Sequence, residues 1–447
     1  MATEDLFIVA IELGSSNVTG IAGKKMPDGT ISIQAVVQEP SSMFIRRGMV
    51  FNLKKSAQCI ISIKERLEER IKRKITQVYV GYGGQSIHSV FNTVSKSFNS
   101  ASPISKEVVE ELENENIQSN KDNYAILDVI PQSYLIGKEN SSDPIGIIAD
   151  NIEAKYMNIL ARPSLKTNIE SCFKEAGLHI AGCVISPISE AISQLNESEK
   201  RSGCVFVNFG ADTTSVVIFK DNILRYIAVI PLGSSNITKD IESCLLDEQE
   251  AESLKRRFGS AINNIETVDE GNEAIYSFAG GATLSKLKFS EIVEARMREI
   301  LVNVANQIKE SKMDKNTLIG GAVLSGGGSH LENLIEAFKR ATGISQIRFT
   351  KSLPHVTFSK SIGIKVAEYS YISTISILEE GTQNCCGQDS EMNKINIFDN
   401  PEEEGPDEKK KANTESGKDT SEKDKTSFFK KFKKKIEEIG TTIVGEE

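Results

Sequence analysis

Two short turns rich in glycine and hydroxyl residues are the parts of this sequence best suited to binding phosphate. The first is Gly14-Ser15-Ser16-Asn17 and the second is Gly210-Ala211-Asp212-Thr213-Thr214, and each lies between two apolar runs. Apolar, β-branched runs around a small polar turn predict a buried hairpin. A hairpin needs small residues for its own sake, but such a turn also holds phosphate through its N–H groups. Because the pattern occurs twice, we expect two like-built halves that close on one polyphosphate.

Three further motifs have residues that suit a nucleotide site, and two of them have an equally simple structural explanation. Gly233 precedes the start of a predicted helix, whose first N–H groups bind an anion or take a serine cap. Glu252 and Lys255 lie three residues apart on one face of a predicted helix. They suit either a surface ion pair or a clamp for the ribose. The run Gly326-Gly327-Gly328 follows a predicted strand. Three consecutive glycines cost backbone entropy on folding and so need a reason, such as close approach of a flat ligand to the backbone.

The elements that position these motifs alternate between strands and helices, which is typical of an α/β fold. The segment 85–162 interrupts the first half with strands, polar loops and an acidic helix, and we interpret it as a small α+β insertion. The acidic helix is expected to be a solvated face. Apolar spacing predicts further helices over about 53–72, 165–176, 187–195, 291–309, 331–342 and 359–369.

Bulk composition narrows the function classes. A chain of 447 residues with 39% apolar residues supports two or three domains, and its net charge of −9 argues against a general nucleic-acid binder. The seven cysteines contain no Cys-x-x-Cys pair, which argues against zinc, and their odd number fits a reducing cytoplasm. Neither a signal peptide nor a spanning helix is expected, so we predict a cytoplasmic protein.

The end of the chain differs from the rest. From about 379 to 426, Cys385 and Cys386 included, the composition is polar and charged and predicts a disordered linker. The segment 427–447 then has an amphipathic helical pattern, which favours a membrane-surface helix over a core helix. Its apolar face and its basic residues are Phe428, Phe429, Phe432, Ile436, Ile439 and Ile443, with Lys430, Lys431, Lys433, Lys434 and Lys435.

In this order the motifs resemble the actin/Hsp70/sugar-kinase ATPase fold, and within it the chain resembles the FtsA family of bacterial cell-division proteins. The stretch Ile230–Ile241 and the position of the 85–162 insertion, with its Asp143-Pro144-Ile145-Gly146, are similar to that family. The resemblance covers about residues 5–378 and the tail helix. It implies an α/β fold of two duplicated, ribonuclease-H-like halves.

The resemblance also divides the chain into six parts. These are a first lobe, an inserted subdomain, a second lobe, a subdomain of the second lobe, the linker and the tail helix. The first lobe comprises residues 1–84, 163–198 and 364–378, and the inserted subdomain comprises 85–162. The second lobe comprises 199–241 and 318–363, and its subdomain comprises 242–317. The linker is 379–426 and the tail helix is 427–447.

For function, the resemblance implies ATP and water-coordinated Mg²⁺ between the lobes, held by the two turns, Gly233, Glu252, Lys255 and the triple glycine. It implies filament formation, binding of the tubulin-like protein FtsZ by its tail, and contact of the insertion with later division proteins. The predicted place is the inner face of the cytoplasmic membrane at the division site, on anionic lipids. Arg296 matches a family arginine that pairs with the acidic FtsZ tail, and Lys286 and Lys288 are further candidates.

Several positions depart from the family pattern. The family usually has aspartate where Glu12, Asn208 and Ser215 stand here, and glycine where Asp212 stands. Glu12 is still able to organise magnesium-bound water, whereas the neutral amide of Asn208 cannot act as a base. Asp212 brings a carboxylate close to phosphate, where it repels unless it turns away or a cation bridges it. We therefore expect ATP binding with weak or absent hydrolysis.

Two alternatives use the same fold. The first is an enzyme, a sugar kinase or an Hsp70-like ATPase, although no catalytic base stands out and no β-rich substrate domain follows. The second is a type IV pilus assembly adaptor, which would not explain the linker and the tail helix.

Overall fold

The computed structural model describes residues 6–119, 123–263, 274–278, 281, 283–359 and 368–387. Residues up to Cys386 belong to one compact unit. The predictions for the linker beyond residue 387, for the tail helix 427–447 and for most of the helix at 359–369 fall outside these ranges. In the ranges that are described, no helix combines the length and apolarity that crossing a membrane requires.

The strands of the described ranges form two large mixed sheets and two small hairpins. Their bounds in chain order are β1 Leu6–Leu13, β2 Asn17–Lys25, β3 Ile31–Pro40, β4 Ile45–Arg46, β5 Met49–Val50, β6 Gln77–Tyr82, β7 His88–Pro103, β8 Ala125–Ile136, β9 Glu139–Ser141, β10 Ile148–Ala161, β11 His179–Ile185, β12 Cys204–Phe209, β13 Thr214–Lys220, β14 Ile223–Ile230, β15 Ile275–Ser277, β16 Thr283–Ser285, β17 Gly321–Ser325, β18 Ile347–Phe349 and β19 Val356–Phe358.

The helices pack on the faces and ends of these sheets. Their bounds are α1 Leu53–Ile71, α2 Lys106–Gln118, α3 Pro163–Glu175, α4 Ser186–Gln194, α5 Glu197–Ser202, α6 Ser234–Glu242, α7 Glu248–Phe258, α8 Lys286–Glu310, α9 Leu334–Thr342 and α10 Ile372–Glu379. Local sequence explains several ends. Asp247 and Glu250 form a capping box at the start of α7, and Gly259 follows its last residue.

The two large sheets share one plan. In the first, β1 pairs antiparallel with β2, β2 pairs antiparallel with β3, and β6 and β11 add in parallel beside β1. In the second, β12, β13 and β14 form the antiparallel part, and β17 and β18 add in parallel beside β12. This repetition confirms the prediction of two like-built halves. Val205, Phe206 and Val207 of β12 are all fully buried, because both faces of the strand are covered.

The insertion confirms the predicted α+β character. Strands β7, β10, β8 and β9 pair antiparallel and carry α2, around a core that includes Leu112, Ile152 and Tyr156. The sheet of the insertion continues the sheet of the second half through the pair Ala228 and His88.

The predicted start of the linker at 379 is wrong. The segment from 380 to 386 packs on the first sheet, where Cys385 is fully buried and Cys386 is 5% exposed. Cys385 N donates to Phe7 O at 2.7 Å, and Thr76 N donates to Cys385 O at 3.0 Å. The segment therefore bonds to both β1 and the residue before β6, a tertiary role that its polar composition does not reveal.

Two helix starts also differ from prediction. Helix α8 begins at Lys286 rather than 291, because Ser285 caps it by accepting a hydrogen bond from Lys288 N. Helix α9 begins at Leu334 rather than 331, because Asn333, the residue before it, has a left-handed backbone with φ 58°. Gly327–His330 form a separate 3-10 turn. The short helix α5 was not predicted at all.

Candidate functional site

The two predicted phosphate turns meet at one short segment between the halves, the turn Arg47-Gly48 that joins β4 to β5. Gly48 N donates to Ser15 Oγ at 2.8 Å, and Arg47 N donates to Asp212 Oδ2 at 3.0 Å. Ser15 belongs to the first turn and Asp212 to the second. We call these four residues the turn junction. They hold the two turns on either side of one peptide segment.

The two turns have the same local geometry. A Cβ atom added to Gly14 would lie 2.6 Å from Asn17 O, and one added to Gly210 would lie 2.8 Å from Thr213 O. Each turn thus folds back over its glycine, with the crowding carbonyl three residues later in both cases. This crowding explains both glycines by the tightness of the hairpin alone.

The hydroxyls of the turns are used differently. Ser15 Oγ accepts the bond from Gly48, and Ser16 Oγ accepts one from Asn17 Nδ2 at 3.1 Å. Thr214 is fully buried, and its Oγ1 donates to Leu232 O at 2.9 Å. Thr214 therefore supports the end of β14 and does not offer its hydroxyl to a ligand.

Gly233 docks the start of α6 on the second turn. A Cβ atom at Gly233 would lie 2.3 Å from Ala211 O, so only glycine fits there. Ser234 N and Ser235 N donate to Gly210 O and Ala211 O at 2.9 and 2.8 Å. These first N–H groups of the helix are thus occupied by the protein itself. Of the two interpretations of this motif, a structural helix start fits better than an anion site.

Glu252 and Lys255 form an ion pair that also binds α6. Lys255 Nζ lies 2.6 Å from Glu252 Oε2 and donates to Thr238 Oγ1 at 2.8 Å and to Ser234 O at 3.1 Å. Burial lowers the pKa of Lys255. Burial opposes ionisation of Glu252 as well, but the bonds from Lys255 and Thr238 outweigh it and lower the pKa of that carboxyl.

The exposed side of this ion pair opens onto a surface cavity of about 750 Å³. The cavity is lined by residues of α7, namely Glu248, Gln249, Glu252, Ser253, Arg256 and Arg257. Lys255 itself is only 6% exposed. The pair is therefore more than a surface ion pair. It ties α7 to α6 and presents Glu252 to the cavity.

The triple glycine contains two tight positions and one open one. Gly326 has φ 84°, and a Cβ atom there would lie 2.5 Å from Asn208 Oδ1. At Gly328 the added atom would lie 3.0 Å from the Cβ of Phe209, whereas at Gly327 nothing lies within 4 Å. Gly326 and Gly328 are thus required by packing on the end of β12, and Gly327 is the one that leaves space for a ligand.

Two carboxylates lie at the base of the site, where both halves meet: Glu190 is 1% exposed, and Glu12 is half-buried. Glu190 on α4 accepts hydrogen bonds from Asn208 Nδ2 at 2.6 Å and from Ser325 Oγ. Glu12 accepts a hydrogen bond from Thr374 Oγ1 at 3.0 Å and another from Ser373 Oγ. We call these six residues the carboxylate cluster. Glu12, which was predicted to organise magnesium-bound water, and Asn208, which stands where the family has aspartate, both have protein partners here.

The surroundings of this cluster disfavour the ionised form of both carboxyl groups. Burial raises the pKa of Glu190 to about 7; the bond from Ser325 opposes this rise, and the nearby charge of Glu12 adds to it. Burial also raises the pKa of Glu12, against the bonds from Ser373 and Thr374. Across the described ranges, no group of three or more His, Cys, Asp or Glu side chains is arranged to hold a metal ion.

Sequence reasoning missed Glu190, Ser325, Ser373 and Thr374. The sequence did contain a signal for Glu190, because it is the one charged residue in the run of small and apolar residues that forms α4. In the structure Glu190 is 1% exposed. The serines and the threonine carry no such signal, because only the fold brings them to the carboxylates. Asp212 lies at the turn junction itself, where its carboxylate accepts a hydrogen bond from Arg47 N. Ser215 is buried opposite Asn208 in the β12–β13 register.

The predicted partner residue Arg296 is engaged within the protein. Its Nε lies 2.6 Å from Asp240 Oδ2, its Nη2 donates to Asp240 Oδ1 at 3.0 Å, and its Nη1 bonds Glu299. Lys286 lies over the ring of Tyr276, 5.5 Å from its centroid, and Lys288 is exposed. The predicted membrane residues between Phe428 and Ile443 lie outside the described ranges.

Family models match two stretches of the chain. The model of cell division protein FtsA matches residues 205–373, and the model of the SHS2 domain inserted in FtsA matches residues 84–160. Cell division protein FtsA of Porphyromonas gingivalis is 32% identical over 396 residues, which covers 86% of this chain and 80% of that protein. Cell division protein FtsA of Escherichia coli strain K12 is 27% identical over 410 residues, covering 88% of this chain and 94% of that protein.

Among solved structures, the PilM–PilN type IV pilus biogenesis complex is similar to this chain with a TM-score of 0.59 and 16% identity. The match covers 83% of this chain and 97% of that one. At this identity the likeness concerns the fold alone, and it agrees with the repeated sheet plan. The predicted actin-like α/β fold with an inserted subdomain is confirmed.

Proposed function

The chain belongs to the FtsA family of cell division proteins, and we propose that it is an ATP-binding scaffold that attaches FtsZ filaments to the cytoplasmic membrane at the division site. The observation that carries the nucleotide part is the turn junction, which brings the two phosphate turns to one segment. In this proposal the protein polymerises on the membrane and recruits later division proteins through its insertion. The six-part division of the chain is part of the same proposal, with the linker beginning after residue 387.

The nucleotide would lie between the halves with its polyphosphate at the two turns. Gly14–Asn17 and Ala211–Thr213 would provide backbone N–H groups, whereas Gly210 N is already bonded to Thr213 O at 2.9 Å. Gly327 leaves open space where the adenosine approaches. Glu252, half exposed beside the α7 cavity, would meet the ribose. Mg²⁺ would neutralise phosphate charge and would contact the protein through water near Glu12. These donors fit a bound nucleotide, although the helix start at Gly233 contributes packing rather than N–H groups.

Hydrolysis would be weak. A general base must accept a proton from the attacking water, and the neutral amide of Asn208 has no such capacity. Its Nδ2 is moreover bound to Glu190. We therefore propose a nucleotide that controls assembly, with little turnover.

The partner site would be the N-terminal half of α8, from Lys286 to Arg296. An acidic FtsZ tail would bind Arg296, aided by Lys286 and Lys288. Because Arg296 is bonded to Asp240 through two nitrogen atoms, the peptide has to exchange with an internal carboxylate. The helix 427–447 would place this surface at the membrane, since its lysines attract anionic lipids and its apolar face inserts.

The test is co-sedimentation of the purified full-length chain and FtsZ with anionic vesicles. We expect both proteins in the pellet, loss of both when residues 427–447 are deleted, and loss of FtsZ alone in Arg296→Ala. Arg298→Ala is the matched control, because Arg298 lies on the same helix and pairs with Glu294. Unchanged vesicle binding without 427–447 refutes the anchor, and equal FtsZ binding by both arginine variants refutes the partner site.

A further inference from the structure

The Arg47-Gly48 turn has a constrained position between the two halves. Both residues adopt left-handed backbone conformations, with φ 50° for Arg47 and 69° for Gly48. A Cβ atom at Gly48 would lie 1.7 Å from Gly83 O, so the turn is wedged against the end of β6 and only glycine fits. A left-handed arginine is unfavourable by itself and persists where its surroundings fix it.

Three hydrogen bonds fix the Arg47-Gly48 turn, two of them to Arg47 itself. Gly48 N donates to Ser15 Oγ at 2.8 Å and Arg47 N donates to Asp212 Oδ2 at 3.0 Å, while Arg47 O accepts from Gln85 N at 3.1 Å. The bonds come from the first phosphate turn, the second phosphate turn and the segment after β6. The backbone of Arg47 is thus held at the point where the halves approach each other.

The charges around this point favour a role for the guanidinium. Neither Gly14–Asn17 nor Gly210–Thr214 contains a basic residue. The acidic groups at or below the turns are Asp212, Glu12 and Glu190. The Arg47 side chain is exposed, and its Nη1 lies 3.4 Å from the neutral Oε1 of Gln85. A polyphosphate bound between the turns needs a cation, and the backbone that carries Arg47 is bonded to both turns.

The neighbouring arginine behaves differently. The guanidinium of Arg46 lies over the ring of Phe51, 4.5 Å from its centroid, and so is occupied by an aromatic contact. The two adjacent residues have the same charge but different surroundings. This difference makes Arg46 a matched control for Arg47.

We infer that Arg47 binds the terminal phosphate of the nucleotide and so favours ATP over ADP, with Asp212 as the residue that positions it through its backbone. The inference rests on the proposed nucleotide binding. The adenosine would lie against α7 and the triple glycine of the second half, so the turn from the first half meets the far end of the phosphate chain. Arginine suits that end, because its fork of N–H donors binds phosphate oxygens in pairs.

The experiment measures the affinities of the full chain for a non-hydrolysable ATP analogue, for ADP and for AMP, each with Mg²⁺, by titration calorimetry. In Arg47→Gln we expect the ATP analogue to bind at least about tenfold more weakly, as for loss of a charge-assisted bond pair, with a smaller change for ADP and none for AMP. Arg47→Lys keeps the charge but lacks the paired N–H donors, so its affinity for the ATP analogue should lie between those of the wild type and Arg47→Gln. Arg46→Gln should match the wild type, and unchanged AMP binding shows that each variant is folded.

Equal affinities for the ATP analogue in Arg47→Gln and Arg46→Gln would overturn this inference and leave nucleotide binding intact. Equal weakening of the ATP analogue, ADP and AMP would also overturn it, because the effect would then lie in the fold of the site. A wild-type chain that binds none of the three nucleotides would instead refute the proposed nucleotide function, and this inference with it.

Discussion

Asn208 Nδ2 donates a hydrogen bond to Glu190 Oε2 at 2.6 Å, which joins β12 of the second half to helix α4. The two residues are chemically complementary. A buried carboxylate needs donors, and the amide of Asn208 supplies one where an aspartate would add a second negative charge. The neutral residue at 208 and the acid at 190 are therefore best understood as a pair, and the departure of this chain from the family pattern has a partner that sequence alone did not identify.

Stability should depend on pH through Glu190. Its pKa is raised from 4.5 to about 7 in the folded protein, so the folded state binds a proton more tightly than the unfolded state. The stabilisation is present in full below pH 4.5 and is lost as pH rises through 7. It amounts to the order of 3 kcal/mol for such a shift. Urea denaturation at pH 5 and pH 8 should show this fall in wild type and a smaller fall in Glu190→Gln, with Glu336→Gln, an exposed carboxylate, as control. The same fall in wild type and Glu190→Gln would contradict the assignment.

Restoring an aspartate at position 208 should destabilise the protein. Asn208→Asp would place two carboxylates within hydrogen-bond distance in a buried site, and we expect a loss of about 2 kcal/mol at pH 8 that shrinks at pH 5, where one acid takes up a proton. The double variant Asn208→Asp with Glu190→Gln should recover most of this loss, because one charge is gone. Chemical denaturation of the single and double variants provides the cycle. Additive effects of the two changes would show that the residues are not coupled.

Local features of the site followed from sequence, and contacts between distant elements did not. The hairpins around Gly14 and Gly210 were predictable because apolar runs and turn residues are adjacent in the chain. The Asn208–Glu190 bond and the Arg47–Asp212 bond join residues whose meeting depends on how the halves pack, and no local pattern encodes that. The burial of Cys385 was not predicted for the same reason. A few buried residues leave the composition of a polar segment almost unchanged, although this segment bonds to Phe7 and Thr76 beside the first sheet.

Freeing Arg296 from its internal partner should strengthen peptide binding. Asp240→Asn removes the charge that holds the guanidinium while keeping the size of the side chain. We expect the acidic FtsZ tail peptide to bind about three- to tenfold more tightly, since an ion pair no longer competes. Fluorescence polarisation of a labelled peptide measures this, with Glu294→Gln, which frees Arg298 instead, as the control. Weaker binding in Asp240→Asn would show that Asp240 orients Arg296 rather than competing for it.

Alanine at Gly326 should lower the stability of the protein, whereas alanine at Gly327 should lower its affinity for nucleotide. Gly326→Ala would strain a backbone at φ 84° and press a methyl group onto Asn208 Oδ1, so we expect a loss of about 2 kcal/mol or more in the free energy of unfolding. Gly327→Ala has open space for its methyl group, so stability should change little while nucleotide affinity falls. Denaturation and nucleotide titration on both variants separate the two roles. Normal nucleotide binding by Gly327→Ala would remove this position from the site.

The C-terminal boundary of the folded part should lie after Cys386 rather than at residue 378. A chain ending at Gly387 keeps the bonds of Cys385 to Phe7 and Thr76, and keeps Tyr79 Oη as acceptor from Thr382 N at 3.0 Å and from Gln383 N at 3.1 Å. A chain ending at Leu378 loses all of them and exposes the side chains that Cys385 and Cys386 cover. We expect the shorter chain to be less stable by on the order of 2–4 kcal/mol, from lost burial and lost hydrogen bonds. Urea midpoints of the two chains test this. Equal midpoints would show that the segment 380–386 contributes nothing to the first sheet.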